Sequence, residues 1–468
     1  MNNKIWKLAI MIAIPLYTWF SGAPDGLSQE GWRLLGFYLS AIVGLMLKPY
    51  SVQIIFLAII AASSIFMDNA KILLAGYGST SLWMIIAAFS LSVAFGKTGL
   101  GHRLAYHLVS LFGSSVLRLG YVTALIDFIL SPATPSNTAR AAGIVYPINL
   151  SIAESIHSFP GETARKGGSY ILMNGYFVTK ITSFIFMTAM APNLLALDFV
   201  NKILGISLTW GEWALAMIVP GLLMLIITPL IAYYVDRPTV TTIDNKALAA
   251  KGLAELGDMK TSEKILCVIF VLALIGWALP SIGIAVNATA VALVAMAFTL
   301  LTKIITWNDI VETKAVWNTF IWFGGLLGIS TALSKAKFFD WLATFMESHM
   351  AFDLSPLMVA VILAVISCAI RYLFASSTAY IASMMPVFLT VGKATGVDPA
   401  LFGLLMLTTN AFGGSLTHYG ASPGPIIFSA GYNTVKTWWT VGALLVIVYL
   451  IIDFTISPLW WSLTGYIG

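Results

Sequence analysis

Apolar runs separated by short polar stretches fill almost the whole chain. Fifteen such runs occur, at about 5–20, 32–47, 51–66, 82–96, 119–131, 138–153, 169–200, 213–235, 264–280, 284–302, 316–333, 355–375, 377–391, 400–412 and 438–461. A helix that crosses a bilayer needs about 20 predominantly apolar residues. The pattern therefore leaves room for ten or more spanning helices, and the shorter runs interrupted by Pro and Gly indicate that several helices are broken.

One long polar segment, residues 236–263, interrupts these runs near the middle of the chain. It has no apolar period, so it predicts a cytoplasmic linker between two transmembrane halves. Lys4 and Lys7 precede the first apolar run and Lys48 follows the second. Because basic residues favour the cytoplasmic side of a membrane, we expect the N-terminus in the cytoplasm. No small-residue cleavage site follows the first run, which predicts an uncleaved first helix.

The composition restricts the chain to the class of integral membrane proteins. Hydrophobic residues make up 59% of the chain and charged residues only 10%, against about 25% charged in an ordinary soluble domain. This balance excludes a soluble enzyme, a secreted disulfide scaffold and a disordered chain. The net charge is +5, and no basic cluster is suited to nucleic acid.

Motifs for catalysis or for a resident metal are missing from the sequence. Cys267 and Cys368 lie inside apolar runs, so we expect inert thiols, with neither a disulfide framework nor a paired-cysteine metal site. No zinc-protease motif and no phosphate-binding glycine loop stands in a suitable setting. Ser415 with His418 leaves an intramembrane serine protease as an alternative, against which we favour a flexible segment. We therefore expect neither an enzyme nor a cofactor or metal.

The two halves of the chain resemble each other. Three pairs of positions match in the same order: Trp83 with Trp322, Ser136-Asn137-Thr138 with Ser376-Ser377-Thr378, and Pro192 with Pro423. Matches in one order predict an internal repeat. If each copy has an odd number of crossings, the second copy is inserted upside down, and inverted repeats with broken helices are typical of secondary transporters.

The first motif combines helix breakers with helix-capping residues. Pro132 and Pro135 prevent a continuous helix, and the residues at 136–138 are good N-cap types before a fresh apolar run. A helix that begins there presents unpaired N–H groups and a partial positive charge, which suit an anion. The motif at 376–378 repeats this arrangement, so two helix starts are able to hold the two carboxylates of a dicarboxylate. Ordinary caps at helix kinks are the alternative.

On these motifs the chain resembles the divalent anion/sodium symporter family of dicarboxylate carriers, and within it the branch of 2-oxoglutarate/malate translocators. The resemblance covers essentially the whole chain. It implies an all-α integral membrane protein with about 11 transmembrane helices and two re-entrant hairpins, near 70–97 and 310–335, in an inverted repeat. It implies substrate binding at these residues: Ser136, Asn137, Thr138, Ser376, Ser377, Thr378, Pro192 and Pro423.

The resemblance also implies a homodimer in which a transport domain moves as an elevator against a scaffold. We expect the following division: scaffold at 1–68 and 213–310, transport domain at 69–212 and 311–437, and a C-terminal helix at 438–468. The linker at 236–263 then lies within the second scaffold segment.

Several cationic or titratable side chains lie in apolar surroundings near the motifs: Arg140, Lys180, Arg371 and His418. A charge at membrane depth costs about 2.5–3.5 kcal/mol or more, so such residues are usually functional and usually paired. Asp127 is the one acid close to the first motif in the sequence. We therefore expect Arg140, Lys180 and His418 to compensate the charge of an anionic substrate. For Arg371 the favoured interpretation is snorkelling, or hydrogen bonds to carbonyls of a broken helix.

The sequence departs from the pattern of the sodium-coupled members of the family. Ser377 stands where the family has Asn, and the segments at 187–193 and 418–424 lack the family's Thr-Pro-Pro-Asn sequence. We therefore expect a carrier that exchanges dicarboxylates such as 2-oxoglutarate, malate or succinate across the plasma membrane without sodium. A sodium-coupled symporter of the same fold is the alternative. An anion channel would need a continuous charged pore instead.

Overall fold

A computed structural model describes residues 2–349 and 354–467, and the regular elements within these ranges are helices. The first half contains α1 (Asn2–Phe20), α2 (Gln29–Leu47), α3 (Val52–Met67), α4 (Ala70–Ala75), α5 (Thr80–Thr98), α6 (Leu100–Phe112), α7 (Val116–Leu130), α8 (Asn137–Arg140), α9 (Tyr146–Ser155), α10 (Gly168–Ile185), α11 (Ala191–Leu204) and α12 (Trp210–Val235). The rest comprises α13 (Asn245–Leu256), α14 (Thr261–Ala278), α15 (Ala288–Leu301), α16 (Trp307–Glu312), α17 (Lys314–Lys335), α18 (Phe338–His349), α19 (Pro356–Ile370), α20 (Ser377–Ala394), α21 (Pro399–Phe412), α22 (Pro423–Phe428) and α23 (Val435–Leu463).

Eight helical segments in the described ranges are long and apolar enough to cross a membrane. They are Gln29–Leu47, Thr80–Thr98, Val116–Ala133, Trp210–Val235, Thr261–Ile282, Lys314–Lys335, Pro356–Leu373 and Val435–Leu463. Two shorter helices, α3 and α15, are also apolar. This confirms the expected all-α integral membrane protein. The total of about 11 crossings stays a prediction.

The helices of the second half repeat the order of the first. A short 3₁₀ turn follows α7 at Ser131–Ala133, and an equivalent turn follows α19 at Arg371–Leu373. The next helix begins at Asn137 in the first half and at Ser377 in the second. Pro192 and Pro423 each lie in the first turn of a helix, α11 and α22, where a proline costs no hydrogen bond. Two of the three pairs matched in the sequence, the motifs and the prolines, thus occupy equivalent places in the fold.

The two hairpins lie elsewhere than predicted. In each, the chain reverses at a motif: α7 with α8 and α9 forms the first hairpin, and α19 with α20 the second. Thr123 donates to Asn149 across the arms of the first, and Ser367 contacts Tyr380 across the second. Near 70–97 and 310–335 the structure instead places a short helix followed by a helix of spanning length. Those positions were wrong because a span and a hairpin arm have the same apolar composition.

The helices pack in two groups. In one, α5 packs against α14 and α15, while α17 packs against α2, α3 and α4. In the other, α12 and α23 pack against each other, α12 also packs against α7 and α10, and α23 against α21. The expected boundaries at residues 68 and 310 separate α5 from α15 and α17 from α3, and those at residues 212 and 437 separate α12 from α10 and α23 from α21.

Glycines permit a very close crossing between α17 and the segment that contains α4. A Cβ atom on Gly328 would lie 1.9 Å from the carbonyl oxygen of Leu73, and one on Gly76 would lie 2.1 Å from the carbonyl oxygen of Gly324. Both contacts are with main-chain atoms, which cannot move aside as a flexible side chain does. Tyr77 secures the crossing by donating to the carbonyl of Ile321 at 3.0 Å. Only glycine fits at the two contact points.

The polar segment 236–263 is ordered by its contacts with the first half. It contains α13, which begins after the N-cap Asp244 and packs against α6. Arg103 of α6 makes a buried ion pair with Glu263 at 2.5 Å. The amide of Val116 donates to the carbonyl of Thr241 at 3.1 Å. A segment without an apolar period is thus held by polar contacts together with a few buried or partly buried apolar residues, among them Leu248 and Ala249.

Candidate functional site

A cavity of about 210 Å³ lies where the two hairpin tips meet α5, α11 and α17. Its walls contain Ser136, Asn137 and Thr138 from one tip and Ser376, Ser377 and Thr378 from the other. The two motifs are far apart in the chain, and the repeat brings them to opposite sides of one small space. Of the predicted site residues, these six and Pro192 line the cavity. Pro423 does not, but the adjacent Ser422 does.

Within each motif the first serine caps the helix that follows. The Ser136 hydroxyl accepts a hydrogen bond from the amide of Ala139 at 3.1 Å, and the Ser376 hydroxyl accepts one from the amide of Ala379 at 3.3 Å. Such a cap leaves the remaining amides of the first turn without an intrahelical partner. Both helices therefore direct free N–H groups and positive dipole ends towards the cavity.

The threonines are the polar groups of the motifs that remain free. Thr138 and Thr378 are half-buried and line the cavity. Within residues 2–349 and 354–467 their hydroxyls make no hydrogen bond with another residue. The middle residues differ, since the Asn137 side chain donates to the Met190 sulfur at 3.6 Å, while the Ser377 hydroxyl accepts a hydrogen bond from Arg371 at 2.9 Å. The threonine hydroxyls are thus available to a ligand.

A buried ion pair holds the first hairpin behind its tip. Arg140 donates from Nε to Asp127 at 2.9 Å, and both side chains are fully buried. Its Nη1 atom donates to the carbonyls of Thr134 and Ala189, at 2.9 and 3.0 Å, so it joins the tip to the break between α10 and α11. The expected role of Arg140 as an uncompensated charge is therefore wrong. Asp127 offsets that charge, because residues on the two sides of the tip face each other in a hairpin.

The second hairpin has an equivalent contact between its two arms, but the two side chains that make it are neutral. Ser367 takes the position that Asp127 has in the first repeat. Tyr380 takes the position of Arg140, and the hydroxyls of Ser367 and Tyr380 are hydrogen-bonded. Ser367 also lies 3.5 Å from the Thr409 hydroxyl of α21, just as Asp127 accepts a hydrogen bond from a threonine of α10. The repeat thus preserves the geometry of the contact and changes its charge.

Arg371 carries the positive charge of the second half. Its Nη2 atom donates to Ser377 at 2.9 Å and to the carbonyl of Gly420 at 2.8 Å. The guanidinium lies over the ring of Tyr380, 4.6 Å from its centroid, and the side chain is 1% exposed. Snorkelling is therefore wrong for Arg371, while the alternative of hydrogen bonding to carbonyls of a broken segment is confirmed. A run of apolar residues in the sequence does not show which face of the helix points to the interior of the protein.

Lys180 is fully buried beside Arg371. The Nζ atom of Lys180 and the Nη2 atom of Arg371 lie 2.8 and 2.7 Å from the point that a Cβ atom on Gly414 would take. Among the described residues Lys180 Nζ has no hydrogen-bond partner. In the described ranges neither side chain forms an ion pair. Two buried basic side chains without an acid partner in those ranges thus lie next to the second motif, one step behind the cavity wall.

His418 is held as a neutral acceptor away from the cavity wall. Its Nδ1 atom accepts a hydrogen bond from the Trp439 indole at 3.0 Å, and an indole N–H is only a donor. The ring stacks on Phe428 with a centroid distance of 4.3 Å. An imidazolium has no free lone pair for this bond, so in this arrangement His418 does not supply positive charge.

The cavity has a further wall that the sequence analysis missed. It consists of Phe89 on α5 and of Ala315, Asn318, Thr319 and Trp322 on α17. The pairing of Trp322 with Trp83 was the available signal, but it was used only to detect the repeat. Asn318 and Thr319, one turn before Trp322, are polar residues inside an apolar run, and that was the sign that they face a site.

Comparison with known proteins agrees with this architecture. The profile of the sodium:sulfate symporter transmembrane region matches residues 2–467. An uncharacterised transporter of Haemophilus influenzae is 48% identical over 100% of this chain and 99% of its own length. The putative malate transporter YflS of Bacillus subtilis is 38% identical over 99% of this chain and 97% of its own length. The citrate/succinate antiporter of Escherichia coli is 33% identical, covering 98% and 99% respectively.

A solved structure shares the fold. MtrF of Neisseria gonorrhoeae, whose structure is described as illuminating a class of antimetabolite efflux pumps, superimposes with a TM-score of 0.59. The alignment covers 98% of this chain and 94% of that chain, at 11% sequence identity. At this identity the likeness concerns the fold alone. Together these similarities describe a multi-pass membrane transporter and not an enzyme.

Proposed function

Because the chain belongs to the sodium:sulfate symporter family, the divalent anion/sodium symporter family that its motifs resemble, we propose that it exchanges C4 and C5 dicarboxylates across the plasma membrane without sodium. The proposed substrates are succinate, malate and 2-oxoglutarate. The observation that carries the proposal is the single cavity with one motif on each side.

A dicarboxylate matches the two-sided arrangement of the cavity. Each wall offers the start of a helix, with free amides and one unpartnered threonine hydroxyl, Thr138 or Thr378. A carboxylate at each wall would accept these hydrogen bonds, which are strongest when the acceptor is ionised. Phe89 and Trp322 supply apolar surface for the short carbon chain between them. A volume of about 210 Å³ suits a small organic anion rather than a larger one.

Lys180 and Arg371 would compensate the charge of the substrate. Both basic side chains are buried, and neither has an acid partner in the described ranges. An unpaired buried charge costs several kcal/mol. A bound dianion would relieve this cost through the contact between Arg371 and Ser377. The empty carrier would retain it and cross the membrane rarely, so that it returns loaded, and an obligate exchanger results.

Sodium fits poorly at either hairpin tip. A hard cation needs several oxygen ligands, such as carbonyls and hydroxyls. Here Arg140 binds the carbonyls of Thr134 and Ala189, and Arg371 binds Ser377 and the carbonyl of Gly420. In both repeats a guanidinium therefore takes the oxygens that a bound cation would use. This favours antiport over the alternative, a sodium-coupled symporter of the same fold.

We further propose the elevator mechanism, with a division of domains that follows the packing. The moving part comprises α7–α12 and α19–α23, and the scaffold comprises α1–α5 and α14–α17. This revises the expected boundaries, because α5 and α17 pack with the scaffold helices and α12 and α23 with the hairpins. The homodimer and a cytoplasmic N-terminus are part of the same proposal.

Radiolabelled succinate uptake into proteoliposomes tests the function. Vesicles loaded with malate should take up succinate at the same rate with and without sodium, and vesicles loaded with an inert salt should take up almost none. Concentrative uptake into empty vesicles driven by sodium alone would replace exchange with symport. Failure of all dicarboxylates in both vesicle types would overturn the proposed substrate class.

A further inference from the structure

Asp453 is a buried acid in α23 that the proposed function leaves without a role. Its side chain is fully buried, and within residues 2–349 and 354–467 it forms no ion pair. The other buried acids in these ranges each have a cationic partner: Asp127 with Arg140, Glu263 with Arg103, and Asp236 with Arg165. An ionisable residue inside a membrane segment points to a functional site.

The hydrogen bonds around Asp453 suit a protonated carboxyl group. Ser457 donates to Oδ1 at 3.0 Å, and the Thr408 hydroxyl contacts Oδ2. The same Thr408 hydroxyl also lies 2.9 Å from the carbonyl oxygen of Leu405. One hydroxyl hydrogen cannot serve both acceptors. A proton on Oδ2 removes the conflict, because the carboxyl group then supplies the hydrogen to Thr408, and Thr408 donates to Leu405.

The elements packed around this part of α23 place few charges near Asp453. Those elements are α12, α19, α21 and the turn at Gly413–Ser415. Neither α21 nor that turn contains a titratable residue. The titratable groups of the others, of the turn after α19 and of α23 itself are Glu212, Tyr233, Tyr234, Cys368, Arg371, Tyr372, Lys436 and Tyr449. Tyr449 is hydrogen-bonded to Thr228 of α12, and Lys436 lies at the far end of the helix.

A short chain of contacts connects Asp453 with the cationic pair. The turn at Gly413–Ser415 packs against α23, which carries Asp453, and against the turn at Arg371–Leu373. A Cβ atom on Gly413 would lie 3.3 Å from the Cys368 sulfur and 3.3 Å from the Arg371 side chain. Thr408, which contacts Asp453, precedes Thr409, which faces the contact inside the second hairpin. The contacts thus run from Asp453 through α21 to the second hairpin, where the Arg371 guanidinium lies over the ring of Tyr380.

We propose that Asp453 is a proton-binding site and that the proton bound there is linked to the binding of the dicarboxylate. Arg371 contributes a positive charge beside the second motif, and an ionised Asp453 adds a negative charge to the same buried part of the carrier. A bound dianion adds two further negative charges, so like-charge repulsion in the low-dielectric interior favours a protonated Asp453 when the substrate is bound. Since linkage is reciprocal, the dianion binds more tightly to the protonated carrier, and bound dianion holds the proton more tightly. This inference rests on the proposed function.

Proton uptake on substrate binding tests the inference directly. Succinate is added to the purified full-length protein in weakly buffered detergent solution at alkaline pH, where succinate is fully ionised, and a pH indicator records the protons taken up. Wild type should take up protons, and its Kd for succinate should rise with pH by up to about tenfold per unit. D453N, an uncharged isostere, should bind succinate with a pH-independent Kd and take up none.

A matched control separates proton binding from packing. S457A removes a hydrogen bond to Asp453 but keeps the carboxyl group, so it should still take up protons. The same uptake in D453N as in wild type would overturn the assignment to Asp453, and succinate binding by wild type without any proton uptake would overturn the linkage. The proposed function survives both of those results. If wild type binds no dicarboxylate at any pH, the proposed function fails and the inference falls with it.

Discussion

Arg371 donates a hydrogen bond of 2.9 Å to the hydroxyl of Ser377, so a buried cation touches the wall of the cavity through one shared contact. Asn137 has the equivalent position in the first repeat, where its side chain contacts the Met190 sulfur instead of a guanidinium. The middle residue of each motif thus has a different partner in the two repeats.

The motif threonines should bind the substrate. Thr138→Ala and Thr378→Ala each remove a free hydroxyl from the cavity, and a hydrogen bond lost in a dry site costs about 1–3 kcal/mol. We expect the Kd for succinate to rise roughly 5- to 150-fold in each variant, with Asn137→Ala and Ser377→Ala acting in the same direction. Scintillation proximity binding on purified protein measures this.

Ser136→Ala is the control for this series, because its hydroxyl caps a helix. It should lower thermal stability by about 1 kcal/mol in addition to any effect on binding. If all five single variants bind succinate as wild type does, the site lies elsewhere.

Lys180 and Arg371 should be required for exchange but not for folding of the hairpin. Arg371→Gln and Lys180→Met each remove one buried positive charge without leaving an acid unpaired. We expect slow succinate–malate exchange in both variants, with no rescue by sodium. Proteoliposome exchange measures it, and Lys97→Gln, which removes an exposed cation, is the control. Normal exchange in both variants would show that the fixed positive charges are not required for exchange.

The ion pair between Asp127 and Arg140 in the first hairpin should stabilise the folded protein. Arg140→Met or Asp127→Asn alone leaves an uncompensated buried charge, which costs about 3–5 kcal/mol. The double variant should recover most of that loss, because neither charge then remains. Thermal unfolding in detergent across the double-mutant cycle measures the coupling. Additive losses in the double variant would show that the two side chains act independently.

The contact between α11 and α17 should trap the carrier if these helices belong to different domains. Lys202 donates to Ser330 and Thr331 of α17 at 3.3 and 3.1 Å. A cysteine pair at 202 and 330, in a background without Cys267 and Cys368, should stop exchange when a reducible bifunctional thiol crosslinker joins the two residues, and reduction should restore it. A crosslinked pair between α5 and α15, which we assign to one domain, should leave exchange unchanged. Exchange that continues with the 202–330 crosslink formed would contradict the proposed boundary.

The sequence predicted the class of protein, the repeat and most of the cavity. Apolar runs and capping residues are local features, so the helix starts at Asn137 and Ser377 could be predicted from the sequence. The partners of the charged residues could not be predicted, since they depend on how separate segments pack. Asp127 and Arg140 lie on opposite sides of a helix break and meet only because a hairpin reverses between them. The same limit hid the position of the hairpins and the inward direction of Arg371.

The close crossing at glycines between α17 and the segment around α4 can form only late in the synthesis of the chain. Gly76 and Gly328 are separated by about half of the chain, yet their backbones touch. While the ribosome synthesises the intervening residues, the surface of α4 that α17 will cover has no native partner. Until α17 is synthesised, the first helices therefore lie in the bilayer with that surface against lipid or an insertion factor. A chain that stops before residue 314 leaves this surface without its native partner, so we expect the first half alone to be less stable than the complete chain.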